Sequence, residues 1–188
     1  MLLKSNFPTS LSSLIFSQNN KYLLFFFDSC SVKWMGVETV EVSARQVANY
    51  FVELSSKTDE NDLTNLKLQK LLYFAQGKYI AEKGKKLFGE PIEAWKLGPV
   101  VRSIYNTFKH CGPYPITAFD EGVEKARLPD EIKDFLSQIW ENYNKYSAGH
   151  LVDLTHRRGT PWQIVYSESE DKEIPADLMK HYFSIHKS

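Results

Sequence analysis

Apolar and polar positions alternate along most of the chain with the repeat of helices. In SARQVANYFVEL, Val47, Tyr50, Phe51 and Leu54 fall at i, i+3, i+4 and i+7, which is one helical face. Ser43 with Gln46 three residues on is a capping-box start. After the polar run SSKTDEND comes the strongest pattern, TNLKLQKLLYFAQGKYIAEKG. Thr64 suits its N-cap, and Leu68, Leu71, Leu72, Ala75 and Tyr79 form its stripe. Lys67, Lys70 and Gln76 take the more polar positions, and Gly84 supplies the stop. KLFGEPIEAWKLG is punctuated by Gly89 and Pro91 and predicts a turn and a short extended segment through Ile92, Ala94 and Trp95.

PVVRSIYNTFKHCG predicts a helix with Pro99 at its first position, where a missing N–H costs nothing. Val101, Ile104, Tyr105 and Phe108 share its face, and Gly112 closes it. GPYPITAFDEG reads as a loop or short strand. LPDEIKDFLSQIWENYNKY starts with Pro129 and two acids at its positive end, and Ile132, Phe135, Leu136, Ile139, Trp140 and Tyr143 form its apolar side. SAGHLVDLTH is a short helix with Ser147 as cap, RRGTPW breaks it, and IPADLMKHYFSIH is the last helix. The expected fold is mainly α: a compact domain of five to six helices with a small β-hairpin drawn from residues 88–97 and 113–119.

Residues 1–34 depart from this pattern, with few charges and no helical repeat. They read as an N-terminal extension, either an extra strand or partner-specific segment, or sequence upstream of a start at Met35; residues 35–188 form the domain. Their densest apolar run, YLLFFF, is far shorter than the ~20 residues that cross a bilayer. SLSSLIFS has the wrong flanks for a signal peptide. The expected location is the cytoplasm, with no membrane partner.

Composition adds limits. At 188 residues the chain is long enough to bury a core without staples. The 43% hydrophobic and 24% charged fractions are those of a folded globular protein. Basic and acidic residues balance at 23 each, so no bulk charge draws the chain to phosphate. Cys30 and Cys111 belong to no metal-ligand pair or CxxC motif and read as free thiols.

Three stretches carry candidate chemistry. EAWKLGPVV sets Lys96 beside a predicted helix start, which suits an anion; without a glycine-rich loop, punctuation is the simpler reading, with Trp95 a core or interface anchor. GHLVDLTH places His150, Asp153 and His156 three residues apart, where a metal or hydrolase site is conceivable. HExxH is absent, and a capped helix end explains the same residues; Ser147 with His150 lacks the sharp turn of a serine nucleophile. HRRGTPW joins Arg157 and Arg158 to Trp162, residue types that serve nucleic acid and protein partners alike. No catalytic residue, metal or cofactor is expected.

Taken together, TNLKLQKLLYFAQGKYIAEKGKKLFGEPIEAWKLGPVVRSIYNTFK and YSAGHLVDLTHRRGTPW resemble the Panacea domain of SocA-type antitoxins, a family also described from phage-associated and genetic-element proteins. The likeness spans residues 43–185. It implies an antitoxin of a toxin–antitoxin system. Its partner would be a small protein toxin from an adjacent gene, neutralised by binding, with a cellular protease as a further partner where the domain acts as an adaptor. The family assigns no catalytic residues. Its pattern carries over to Trp95, Gly98, Pro99, Tyr105, Thr155, His156, Pro161 and Trp162; with Lys96, Arg157 and Arg158 added, these give the candidate partner-binding set Trp95, Lys96, Pro99, Tyr105, His156, Arg157, Arg158 and Trp162. Gly149 and the basic turn HRRGTPW depart from the expected pattern. The alternatives are a mobile-element transcriptional regulator and a hydrolase using His150, Asp153 and His156.

Overall fold

The computed structural model describes residues 12–18, 21–28, 31–34, 42–58, 62–118, 128–168 and 172–186. The chain divides into two units, Met1–Glu41 and Val42–Ser188. In the first, β1 (Ser12–Gln18), β2 (Lys21–Asp28) and β3 (Ser31–Trp34) form an antiparallel meander in the order β1-β2-β3. Its register runs from Ser12 opposite Phe27 to Gln18 opposite Lys21, then from Phe25 opposite Trp34 to Asp28 opposite Ser31. Cys30, and residues 119–122 at the end of the predicted 112–122 loop or strand, lie outside the described residues.

The second unit is mainly helical. Its elements are α1 (Ala44–Ser56), α2 (Asn65–Lys83), β4 (Glu93–Trp95), β5 (Gly98–Val100), α3 (Arg102–Phe108), α4 (Asp130–Tyr143), α5 (Ala148–His156), α6 (Pro161–Glu168) and α7 (Ala176–Ile185). Several starts and stops follow the local signals. Ser43 and Gln46 close a reciprocal capping box, Thr64 and Ser147 cap α2 and α5, and Gly84 ends α2 with a left-handed φ of 72°.

α2 is the axis of this unit. It touches α1, α3, α4, α5, α7 and β5. Leu68, Leu71, Leu72, Ala75 and Tyr79 are buried as the stripe predicted, and so are the positions between them except the half-buried Lys78. A helix packed on every side is a core helix. Its polar residues must then find partners inside the protein, since an unpaired buried polar group costs about 1–3 kcal/mol. Lys67 shows the solution: its buried ammonium donates to both oxygens of Asp62 at 2.7 and 2.8 Å and to the Asn144 carbonyl at 2.6 Å. It thereby ties the segment before α2 to the end of α4.

Lys67, Lys70 and Gln76, which the pattern set at its more polar positions, are therefore buried and not surface residues. The hairpin also differs from its expected form. It joins β4 to β5, Glu93 opposite Val100 and Trp95 opposite Gly98, while Pro115 makes only an isolated bridge to Thr64. Pro99 sits in β5, opposite Ala94, and the helix begins three residues later at Arg102. α6, with Pro161 at its first position, stands where the sequence pattern predicted only a break. Its start signal is Thr160-Pro161-Trp162-Gln163: Gln163 N–H donates to Thr160 Oγ1 at 3.2 Å, and Gln163 Oε1 accepts from Gly159 N–H at 3.0 Å.

Candidate partner-binding site

The buried polar side chains of α2 hold the segment from Leu87 to Tyr105. Gln76 Oε1 accepts from the N–H groups of Leu87 and Phe88 at 2.8 and 3.3 Å, and its Nε2 donates to the Phe88 carbonyl at 2.9 Å. Gln69 Oε1 accepts from Val101 N–H at 2.9 Å, and its Nε2 donates to Asn65 Oδ1 at 2.9 Å. Asn65 Nδ2 in turn donates to the Tyr105 carbonyl at 3.1 Å. Lys70 Nζ donates to the Pro99 carbonyl at 2.9 Å. One helix thus supplies, through side chains, the partners that a third strand would give to β5.

The other edge of the hairpin is covered as well. Ala94 N–H donates to the Lys172 carbonyl at 2.8 Å, and Ile174 N–H to the Ile92 carbonyl at 2.7 Å. The hairpin therefore presents its outer face and its tip, not an edge.

That outer face is a closed network. Arg102 lies over the Trp95 ring at 4.9 Å and pairs with Glu93 at 2.6 Å. Trp95 Nε1 donates to Glu93 Oε2 at 2.7 Å, and Tyr105 meets the Trp95 ring edge-on at 5.0 Å. Arg102 and Trp95, donating to Glu93, hold its carboxyl below the usual range against a partial burial that pushes the other way. Lys96 and Leu97 form the tip and are exposed.

α5 and α6 brace the hairpin from behind. Trp162 is buried, and its Nε1 donates to the Trp95 carbonyl at 2.9 Å. The half-buried His156 ring stacks on Trp162 at 3.7 Å, nearly parallel. Its Nε2 is buried without a hydrogen-bond partner among the described residues. Burial, and then the charge of Lys70, lower the His156 pKa, with Asp153 opposing.

The candidate residues separate accordingly. Trp95, Lys96 and Tyr105 lie on the hairpin face or tip and the helix beside it, and Arg157 and Arg158 are exposed in the turn between α5 and α6. Pro99 and Trp162 are interior and support that face; His156 backs Trp162. Because Pro99 is a strand residue whose carbonyl accepts from Lys70 Nζ, no helix start for an anion exists at Lys96. His150 is exposed and stacks on Tyr146, Asp153 is exposed, and His156 turns to Trp162, so the three do not converge. Among the described residues no three His, Cys, Asp or Glu side chains gather to hold a metal. Ser147 Oγ accepts from His150 N–H as a helix cap. Cys111 is a free thiol. No helix among the described residues is long and apolar enough to cross a membrane.

Lys70 gives a measurable signature. Burial pushes its pKa down from 10.5 to about 7. Between those values the unfolded chain binds the proton and the folded chain does not, so stability rises with pH across that window. Tyr143, held up at about 12 by burial, contributes the opposite slope only above its ordinary value of 10.0. In urea unfolding from pH 7 to 9.5, wild type should gain on Lys70→Met by up to ~1.4 kcal/mol per pH unit. The lost bond to Pro99 adds only a pH-independent offset. Parallel curves for the two proteins would contradict the buried amine.

Fold and site define a helical domain that presents a braced hairpin with an aromatic and basic face. The family model described as antitoxin SocA-like, Panacea domain, matches residues 68–163, from α2 to the first turn of α6. Antitoxin SocA of Caulobacter vibrioides (strain NA1000 / CB15N) is 33% identical over 135 residues, covering 66% of this chain and 70% of that protein. The chain belongs to the SocA-like antitoxins of the Panacea-domain family. No solved structure matches it.

Proposed function

We propose that this protein neutralises a cognate toxin by binding it, with the 42–188 unit as the antitoxin domain and the hairpin face as the contact. Family membership supports the antitoxin role. The observation that carries the binding reading is the fixed outer face: Trp95, Arg102 and Tyr105 are locked together and to Glu93 while remaining at the surface. Trp, Tyr and Arg dominate interface hot spots, and side chains ordered before binding lose less entropy on it. A cover for another protein needs such anchors and no reacting groups. An adaptor role, in which the bound toxin passes to a cellular protease, extends the reading and predicts a shorter toxin half-life when the protein is present.

The test is growth. The product of the adjacent reading frame, expressed alone, should arrest growth, and co-expression of this chain should restore it. Arrest that persists despite soluble, folded chain would refute the proposal.

A further inference from the structure

We propose that the partner docks over the hairpin tip, seating Leu97 in an apolar notch rimmed by acidic residues. This rests on the toxin-binding reading and names the chemistry of its partner. Two-residue hairpin turns favour Asn, Asp and Gly; here the turn is Lys96-Leu97, and the leucine side is 57% exposed. The tip is held rigidly. Trp162 fixes the Trp95 carbonyl just before it, Lys70 fixes the Pro99 carbonyl just after it, and Gly98 lies against Thr155. Exposed Tyr105 on the Trp95 ring extends the apolar area beside the tip.

Charge selects the rim. The turn that carries Arg157 and Arg158 starts two residues beyond Thr155, next to Gly98. Lys96, Arg157 and Arg158 are exposed, and none pairs with a carboxylate among the described residues. Glu93 already balances Arg102, the exposed Lys172 and Glu173 beside β4 are of opposite charge, and the exposed acid Asp153 lies on α5. The surplus over the tip and the neighbouring α5–α6 turn, counting Lys96, Arg157 and Arg158 against Asp153, is positive on a chain of zero net charge, so the complementary surface is acidic. A protein fits better than nucleic acid. The rings of Trp95 and Tyr105 are engaged with each other and with Arg102, which removes a stacking platform, and the central anchor is aliphatic. Both hairpin edges are covered, which removes strand addition as a docking mode.

The experiment measures binding of the purified adjacent-frame product to wild type, Leu97→Glu, and the charge reversal Lys96→Glu/Arg157→Glu/Arg158→Glu. Binding is followed across a salt series, with circular dichroism confirming folding. Leu97→Glu should weaken binding by about thirtyfold or more. Wild-type affinity should fall with salt, and the charge reversal should flatten that dependence. Wild-type binding with both variants unchanged would overturn the tip proposal and leave toxin binding intact. No binding by wild type would remove both. A labelled DNA duplex that competes with the toxin and is lost on the charge reversal would overturn the acidic-protein assignment in favour of nucleic acid.

Discussion

Gly77→Ala is expected to destabilise the fold by about 3 kcal/mol, although alanine is the better helix former by about 1 kcal/mol. Gly77 lies within α2 where α7 crosses it, and an added Cβ would fall 2.1 Å from Phe183 Cε2. The Phe183 ring has little room to retreat. It is buried, with Tyr73 edge-on at 5.5 Å, Phe74 at 6.3 Å and Tyr182 at 5.2 Å. The conflict must move α7 from α2 or expel the ring, and expelling a buried aromatic costs about 3–5 kcal/mol. Thermal and urea unfolding of Gly77→Ala, Phe183→Leu and the double variant give the coupling. The smaller side chain should rescue part of the Gly77→Ala loss. A stabilised Gly77→Ala would refute the α2–α7 packing.

The second large effect is at Gly98, whose φ of +99° disfavours any side chain. An added Cβ would also lie 2.8 Å from Lys70 Cε, 2.9 Å from Lys70 Nζ and 2.9 Å from Thr155 Oγ1. Gly98→Ala should cost about 4 kcal/mol, combining backbone strain with displacement of a buried amine from its carbonyl partner. Lys70→Ala in the same chain should relieve the Lys70 contacts but neither the Thr155 contact nor the strain, so rescue should be partial. The tip would shift with it, and binding should fall even at temperatures where the helices persist. Full stability in Gly98→Ala would mean that β5 does not lie against α2 and α5.

The close contacts at Gly77 and Gly98 come from residues remote in sequence and are not legible locally, whereas helix ends are. Capping chemistry acts over three or four residues, so Ser43, Thr64, Gly84 and Ser147 announced their helix ends correctly. The apolar stripes of α2 and α4 were equally plain. Lys67, Lys70 and Gln76 sit at polar positions of the pattern yet are buried, because partners beyond their own helix take them up: Asn144 is 77 residues from Lys67, and Pro99 is 29 from Lys70. Nothing local tells a buried, satisfied lysine from an exposed one. Pro99 misled differently, since a missing N–H suits the first turn of a helix and also a short strand. α6 had a legible start at Thr160 and Gln163, obscured by the Arg-Arg-Gly turn before it.

The candidate site was legible as residue types more than as a surface. The aromatic and basic positions at 95–96, 105 and 157–158 were visible in the sequence. That Arg102 and Glu93 complete the Trp95 face was not, because a pairing nine residues apart depends on the turn at Lys96-Leu97. The interior placing of Trp162 likewise depends on α6 and its bond to the Trp95 carbonyl.

The central claim is that this domain acts by covering its partner rather than by changing it. Native mass spectrometry of the chain mixed with a tenfold excess of adjacent-frame product, followed over time, tests this most directly. The account predicts a bound fraction that stays proportional to the amount of chain added, with the toxin mass unaltered in both pools. A toxin mass that changes throughout the excess, turned over by a minority of chain, would contradict it.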